Sequence, residues 1–142
     1  MREILFRGKR LDNGEWVEGF LVVGTDRINN GKCYILQGIS DFSYGDNGNR
    51  IRIGCFVEVD PSTVGQFTGI CDKNGKKIFE GDIVNIHDYT NFDMTGVVEW
   101  NDCGFELYDR INGDFEVLWY PPTVITVLGN IHDNPELLEG NE

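Results

Sequence analysis

Short runs of valine, isoleucine and aromatic residues, each closed by a bend of glycine, asparagine or aspartate, constrain this chain more than any other feature. From Gln66 onward the runs occupy 66–71, 77–79, 83–87, 96–100, 105–109, 115–120 and 124–131, with bends such as Asp72-Lys73-Asn74-Gly75 and Asn112-Gly113 between them. A return of strand-sized runs every ten or so residues is the rhythm of a small barrel or sandwich. The vocabulary agrees. The chain has no alanine and 9 leucines, against 12 valines, 13 isoleucines and 17 aromatic residues, so a mainly helical fold is excluded. Its 142 residues are enough for one domain with a real core or two small lobes.

The first half reads similarly. Residues 3–9 and 15–23 flank Leu11-Asp12-Asn13-Gly14 and predict a hairpin, since Asn-Gly readily supplies positive φ. A loop at 24–32, a short strand at 33–36, a polar mobile excursion at 40–49 and a strand at 56–59 before Asp60-Pro61 follow. At the other end, Asp133-Asn134-Pro135-Glu136-Leu137-Leu138 predicts a single helical turn, because proline suits a first turn. Residues 6–23 also echo 67–86: Phe6-x-Gly8 matches Phe67-x-Gly69, Asn13-Gly14 matches Asn74-Gly75, and Glu18-Gly19 matches Glu80-Gly81. Duplication and convergence on one turn device both account for this.

Twelve basic against 24 acidic residues give a net charge of −12, which repels phosphate and disfavours direct nucleic-acid binding. No apolar run is long enough for a membrane span, and the Met-Arg-Glu start places charge where a signal peptide is apolar; a cytoplasmic protein is expected. Cys33, Cys55, Cys71 and Cys103 form no C-x-x-C pair and predict reduced, packed thiols without a metal site.

No nucleophile-and-base signature, phosphate loop or calcium loop is present, and no cofactor is implied. Asp72-x-Asn74-Gly75 reads as a turn. Glu80 and Asp82 flank Gly81 and share a side of an extended chain, with His87 at the far end of the same run. A pocket near Glu80, Asp82 and His87 is the enzymatic alternative, with hydrogen bonding of the turn as the structural one. The aromatic residues, among them Trp16, Tyr89, Phe92, Trp100, Tyr108, Trp119 and Tyr120, exceed what one small core holds, so some line a groove or interface.

The sequence resembles the YopX family of phage and prophage proteins. The resemblance rests on Met1-Arg2-Glu3-Ile4-Leu5-Phe6-Arg7-Gly8, on Val59-Asp60-Pro61-Ser62-Thr63-Val64-Gly65-Gln66-Phe67-Thr68-Gly69, on the string from Asp72 through Asn74, Gly75, Glu80, Gly81 and Asp82 to Val84, and on Gly129-Asn130-Ile131-His132-Asp133-Asn134-Pro135. It implies a β-rich protein with an SH3-like barrel over the second half, and no reaction or site residue. The expected fold is therefore all-β: an N-terminal hairpin lobe over 1–58, then an SH3-like lobe with a short C-terminal helical turn over 59–142, together forming one compact domain. The expected role is a non-enzymatic accessory module that binds an unidentified protein or itself. The rival roles are nucleic-acid binding through Arg7, Lys9, Arg10, Arg27, Arg50 and Arg52, acidic imitation of DNA, and an enzyme.

Overall fold

A computed structural model describes residues 3–43 and 50–139, and the side chains of 38–55 lie outside the described set. The polar excursion expected at 40–49 thus falls largely outside it, although residues 40–43 belong to a strand. The chain is all-β and divides into two compact units, Met1–Gln66 and Phe67–Glu142.

In the first unit, β1 (Phe6–Lys9), β2 (Trp16–Val23), β3 (Cys33–Ser43) and β4 (Arg50–Val59) form successive antiparallel hairpins, followed by a 3₁₀ turn at Pro61–Thr63 and the start of β5 (Gly65–Cys71). Strand β3 is longer than the expected 33–36, because β4 pairs with it as far as Ser43 opposite Arg50. The free edge of β1 is then used twice. Gly65 and Gln66 pair with Arg7 and Phe6, while Leu11 N–H donates to Glu58 C=O at 3.2 Å and Asp60 N–H to Lys9 C=O at 2.8 Å. Period-2 alternation sends Val17, Cys33, Ile35 and Val59 into one core.

In the second unit, β5 pairs with β6 (Lys77–Phe79), and β7 (Asp82–His87), β8 (Asp93–Asn101), β9 (Gly104–Asp109), β10 (Asp114–Val117) and β11 (Ile125–Asn130) form a sheet in the order β10-β9-β8-β7-β11. Ile78, Val84, Ile86, Met94, Val98, Leu107, Val124 and Ile125 fill its core. A 3₁₀ turn at Pro122–Val124 precedes β11, and another at Pro135–Leu138 is the expected C-terminal helical turn. Four antiparallel strands, a 3₁₀ turn and a strand on the free edge of the first strand thus occur in both units. Among the described residues no ladder joins β10 to β11, so the second unit shows this strand order without a closed cylinder.

This succession replaces the hairpin echo. Gly14 and Gly75 both take positive φ, 73° and 80°. The bends differ, however: Arg10 N–H donates to Glu15 C=O around the first, whereas Asp72 N–H donates to Lys76 C=O around the second, closing a loop one residue shorter. The β1–β2 register is unbroken and the β5–β6 register shifts between Phe67 and Cys71. The two Asn-Gly hairpins are therefore separate uses of one turn device, and the equivalence lies between whole units.

Candidate functional site

The carboxylates singled out in the sequence are built into turns. Asp82 is buried and accepts from Phe79 N–H at 2.8 Å. Gly81, at φ 88°, donates its N–H to Val98 C=O and accepts from Ile131 N–H, each at 2.9 Å. Glu80 is half-buried in the same turn. His87 ends β7, with Nδ1 4.0 Å from the Asp93 carboxylate and both side chains 60% exposed. Five residues of extended chain separate Asp82 from His87, about 17 Å, and an odd separation sends them to opposite faces. The structure therefore does not bring Glu80, Asp82 and His87 together.

Other motif residues act in the same way. Asp72 Oδ1 accepts from Asn74 and Lys76 N–H, both at 2.9 Å, while its Oδ2 accepts from Val127 N–H at 3.1 Å. Burial pushes this carboxyl up, but the Val127, Lys76 and Asn74 donors and the Lys76 charge outweigh it, and it titrates below its ordinary value. Asn130 Oδ1 accepts from His132 and Asp133 N–H at 2.9 Å, and Gly129 leaves room for the Asn134 side chain packed against it. Among the described residues no three His, Cys, Asp or Glu side chains gather as a metal-binding group. Cys33 is buried and Cys71 half-buried, but Cys103 is exposed on the β8–β9 turn, contrary to the expectation that every thiol is packed.

Of the six cations proposed for a nucleic-acid patch, Arg7, Lys9 and Arg10 are engaged by neighbouring side chains, while Arg27 is exposed. Arg7 lies over the Trp16 ring, 4.5 Å from its centroid, with Lys9 at 5.5 Å, and Arg10 forms a two-pronged pair with Asp12 at 2.7 and 2.9 Å. Arg50 and Arg52 have side chains outside the described set.

Charge divides unequally between the units, which the total conceals. Residues 1–66 contain 8 Lys and Arg against 9 Asp and Glu, whereas residues 67–142 contain 4 against 15, so the second unit carries −11 of the −12. Arg110 is the sole Lys or Arg after Lys77, and Glu99 holds it at 3.4 Å. Aromatic side chains stand out of this acidic surface. Phe115 stacks on Tyr108 with centroids 4.4 Å apart and is 59% exposed, and Trp119 is 76% exposed. A cleft of about 170 Å³ opens beside Val117, lined also by Ile70, Phe105, Glu106 and Leu118. That is below the roughly 300 Å³ at which small-molecule sites begin, and it admits one side chain.

The first unit exposes a different surface. Phe20, Leu36 and Phe56 lie side by side across β2, β3 and β4, with Tyr34 stacked on Phe56 at 4.6 Å. Phe20 and Phe56 are exposed.

Against known proteins, the family described as YopX protein matches residues 5–139, nearly the whole chain. The chain belongs to the YopX family. Two solved structures are similar over essentially their whole length. Protein EF1440 from Enterococcus faecalis is 27% identical, with 98% of this chain and 100% of that one covered and a TM-score of 0.55. Protein yopX from Bacillus subtilis is 19% identical, with both chains covered completely and a TM-score of 0.52, which speaks to fold alone. No curated protein matches. Of the four strings that carried the resemblance, the first runs into β1, the second holds the 3₁₀ turn at Pro61–Thr63, and in the other two Asp72, Gly81, Asp82 and Asn130 each have a hydrogen-bonding task in the fold. The division of charge is a simple count on either side of Gln66, but the boundary at Gln66 comes from the structure and not from the sequence.

Proposed function

We propose that this YopX-family protein is a non-enzymatic interaction module whose acidic second unit binds a basic protein. The observation that carries this reading is the concentration of −11 in residues 67–142 around exposed aromatic side chains. Carboxylates steer a basic partner in, and aromatic rings supply contact area once it arrives. On the family resemblance the protein is phage- or prophage-encoded and acts in the bacterial cytoplasm, where a basic DNA-binding protein is a partner of the right charge.

Titration calorimetry with an oligolysine peptide tests this reading. Binding that weakens steeply with added salt is expected, as is a marked loss on neutralising Glu106, Asp114 and Glu116 together and little change on neutralising Glu3, Glu15 and Glu18. Equal losses from the two sets, or retention of the protein by DNA, would overturn it.

A specific observation also favours self-association through the first unit. Residues 1–66 sum to −1, so two copies meeting there repel weakly, and the Phe20–Leu36–Phe56 row is apolar. Light scattering on a size-exclusion column reads this directly: a dimer that Phe20→Lys converts to monomer is expected, and a monomer at all concentrations would count against it.

A further inference from the structure

Among the described residues no strand pairs with the outer edge of β10 in the order β10-β9-β8-β7-β11, and the direction of hydrogen bonding at that edge follows from one bond. Leu118 N–H donates to Phe105 C=O at 3.2 Å, in register with the β9–β10 ladder, which pairs Glu116 with Leu107 and Asp114 with Asp109. In an antiparallel pair the bonded positions alternate, so Leu118, Glu116 and Asp114 point their amides into the sheet. Phe115 and Val117 then direct theirs outward. The Phe115–Tyr108 pairing falls at a non-bonded position, where side chains approach most closely, in keeping with their 4.4 Å stack.

Resting on the reading that the second unit binds a basic protein, we infer that β10 is the docking edge, and that its occupant is an extended segment alternating apolar and Lys or Arg residues, added as a sixth strand. The alternation is dictated by the edge. One face of β10 presents Phe115 and Val117, 59% and 57% exposed, and the other presents Asp114 and Glu116. An added strand aligned with these faces sets every second side chain against the two apolar residues and the intervening ones against the two carboxylates. Val117 also borders the small cleft, which takes one apolar side chain of the incoming segment. Pairing between two copies of β10 is the poorer arrangement, because it brings Asp114 and Glu116 against their counterparts. Main-chain bonds to the Phe115 and Val117 amides give affinity, and the alternating faces give selectivity.

The test uses the full chain and two peptides of identical composition, one alternating valine with lysine and one with the lysines gathered at one end. The alternating peptide is expected to bind about tenfold more tightly or better. Val117→Pro removes an outward amide without removing a ladder bond and should abolish this preference, whereas Val117→Thr retains it. Should Val117→Pro unfold, amide exchange of the unaltered protein decides, with slowed exchange expected at Phe115 and Val117 when the alternating peptide is bound. Equal, salt-sensitive binding of both peptides would overturn strand addition while leaving the acidic-module reading standing; no binding of either would overturn both.

Discussion

Asp72 Oδ2 accepts a hydrogen bond from Val127 N–H at 3.1 Å, joining the β5–β6 turn to β11 across 55 positions of sequence. The same carboxylate closes its own turn through Asn74 and Lys76. A bend residue is thereby also a latch for the second unit. Lys73 N–H donates to Ile125 C=O at 3.0 Å beside it, so the turn meets β11 at two points.

Asp72→Ala leaves three backbone donors without this acceptor and is expected to destabilise the second unit by about 3 kcal/mol. Asp72→Asn keeps an oxygen for the turn but turns an amide toward Val127 N–H, for a loss of about 1–2 kcal/mol. Urea unfolding followed by tryptophan fluorescence measures both. A change below the error of the method in both variants would show that the latch does not contribute to stability.

The pH dependence of that loss has a defined sign. Because the folded-state pKa of Asp72 is lowered, its stabilisation is fully present above the unfolded value of about 3.9 and disappears as pH falls through the folded value. The stability difference between the unaltered protein and Asp72→Asn is therefore expected to be constant from neutral pH to about 5 and to shrink below about 4. A difference that stays constant into strong acid would contradict this.

Gly96 lies on β8 where the backbone of its paired neighbour β9 comes close. A Cβ there would meet the Tyr108 carbonyl oxygen at 2.6 Å, and this neighbour is backbone that cannot swing aside. Gly96→Ala is expected to cost about 1–3 kcal/mol by overpacking, whereas Gly14→Ala, at φ 73° with open space around it, costs about 1 kcal/mol through backbone strain alone. Thermal unfolding of the two variants ranks them, and a reversed order would refute the close-approach argument.

Thiol accessibility separates the cysteines. Cys103 is exposed and Cys33 is buried in the first core, so a maleimide is expected to modify Cys103 within the mixing time and Cys33 only as the first unit opens. Mass mapping of the labelled peptides at successive times reads the order, and early modification of Cys33 would contradict its burial.

The strands from β5 onward were legible because their signals are local: alternation about Asn85 in β7, Asn112-Gly113 before β10, and Pro135 at the last helical turn all act within a few residues. The reach of β3 was not, since residues 37–43 owe their strand conformation to pairing with β4 and not to their own polar, glycine-containing sequence. The candidate site was half legible. Glu80 and Gly81 form a turn, with Gly81 at φ 88°, so the extended spacing that placed Glu80 and Asp82 on one side does not apply, and the alternative that Asp82 serves the turn is the one the geometry supports. The proposed docking edge was out of reach, because nothing local to Asp114–Val117 says that among the described residues no further strand pairs with it.

By itself the sequence determined that this chain would be a succession of antiparallel strands, where most of them bend, and that it would be strongly acidic. Bend chemistry and side-chain alternation are short-range properties, and charge is a simple count. Only the tertiary structure decided that Asp72 reaches Val127, that the charge belongs almost wholly to one of two units, and that β10 ends its sheet with Phe115 and Val117 facing outward. Those outcomes depend on which distant strands pair and in what register, and such pairing is set by the burial of whole faces at once.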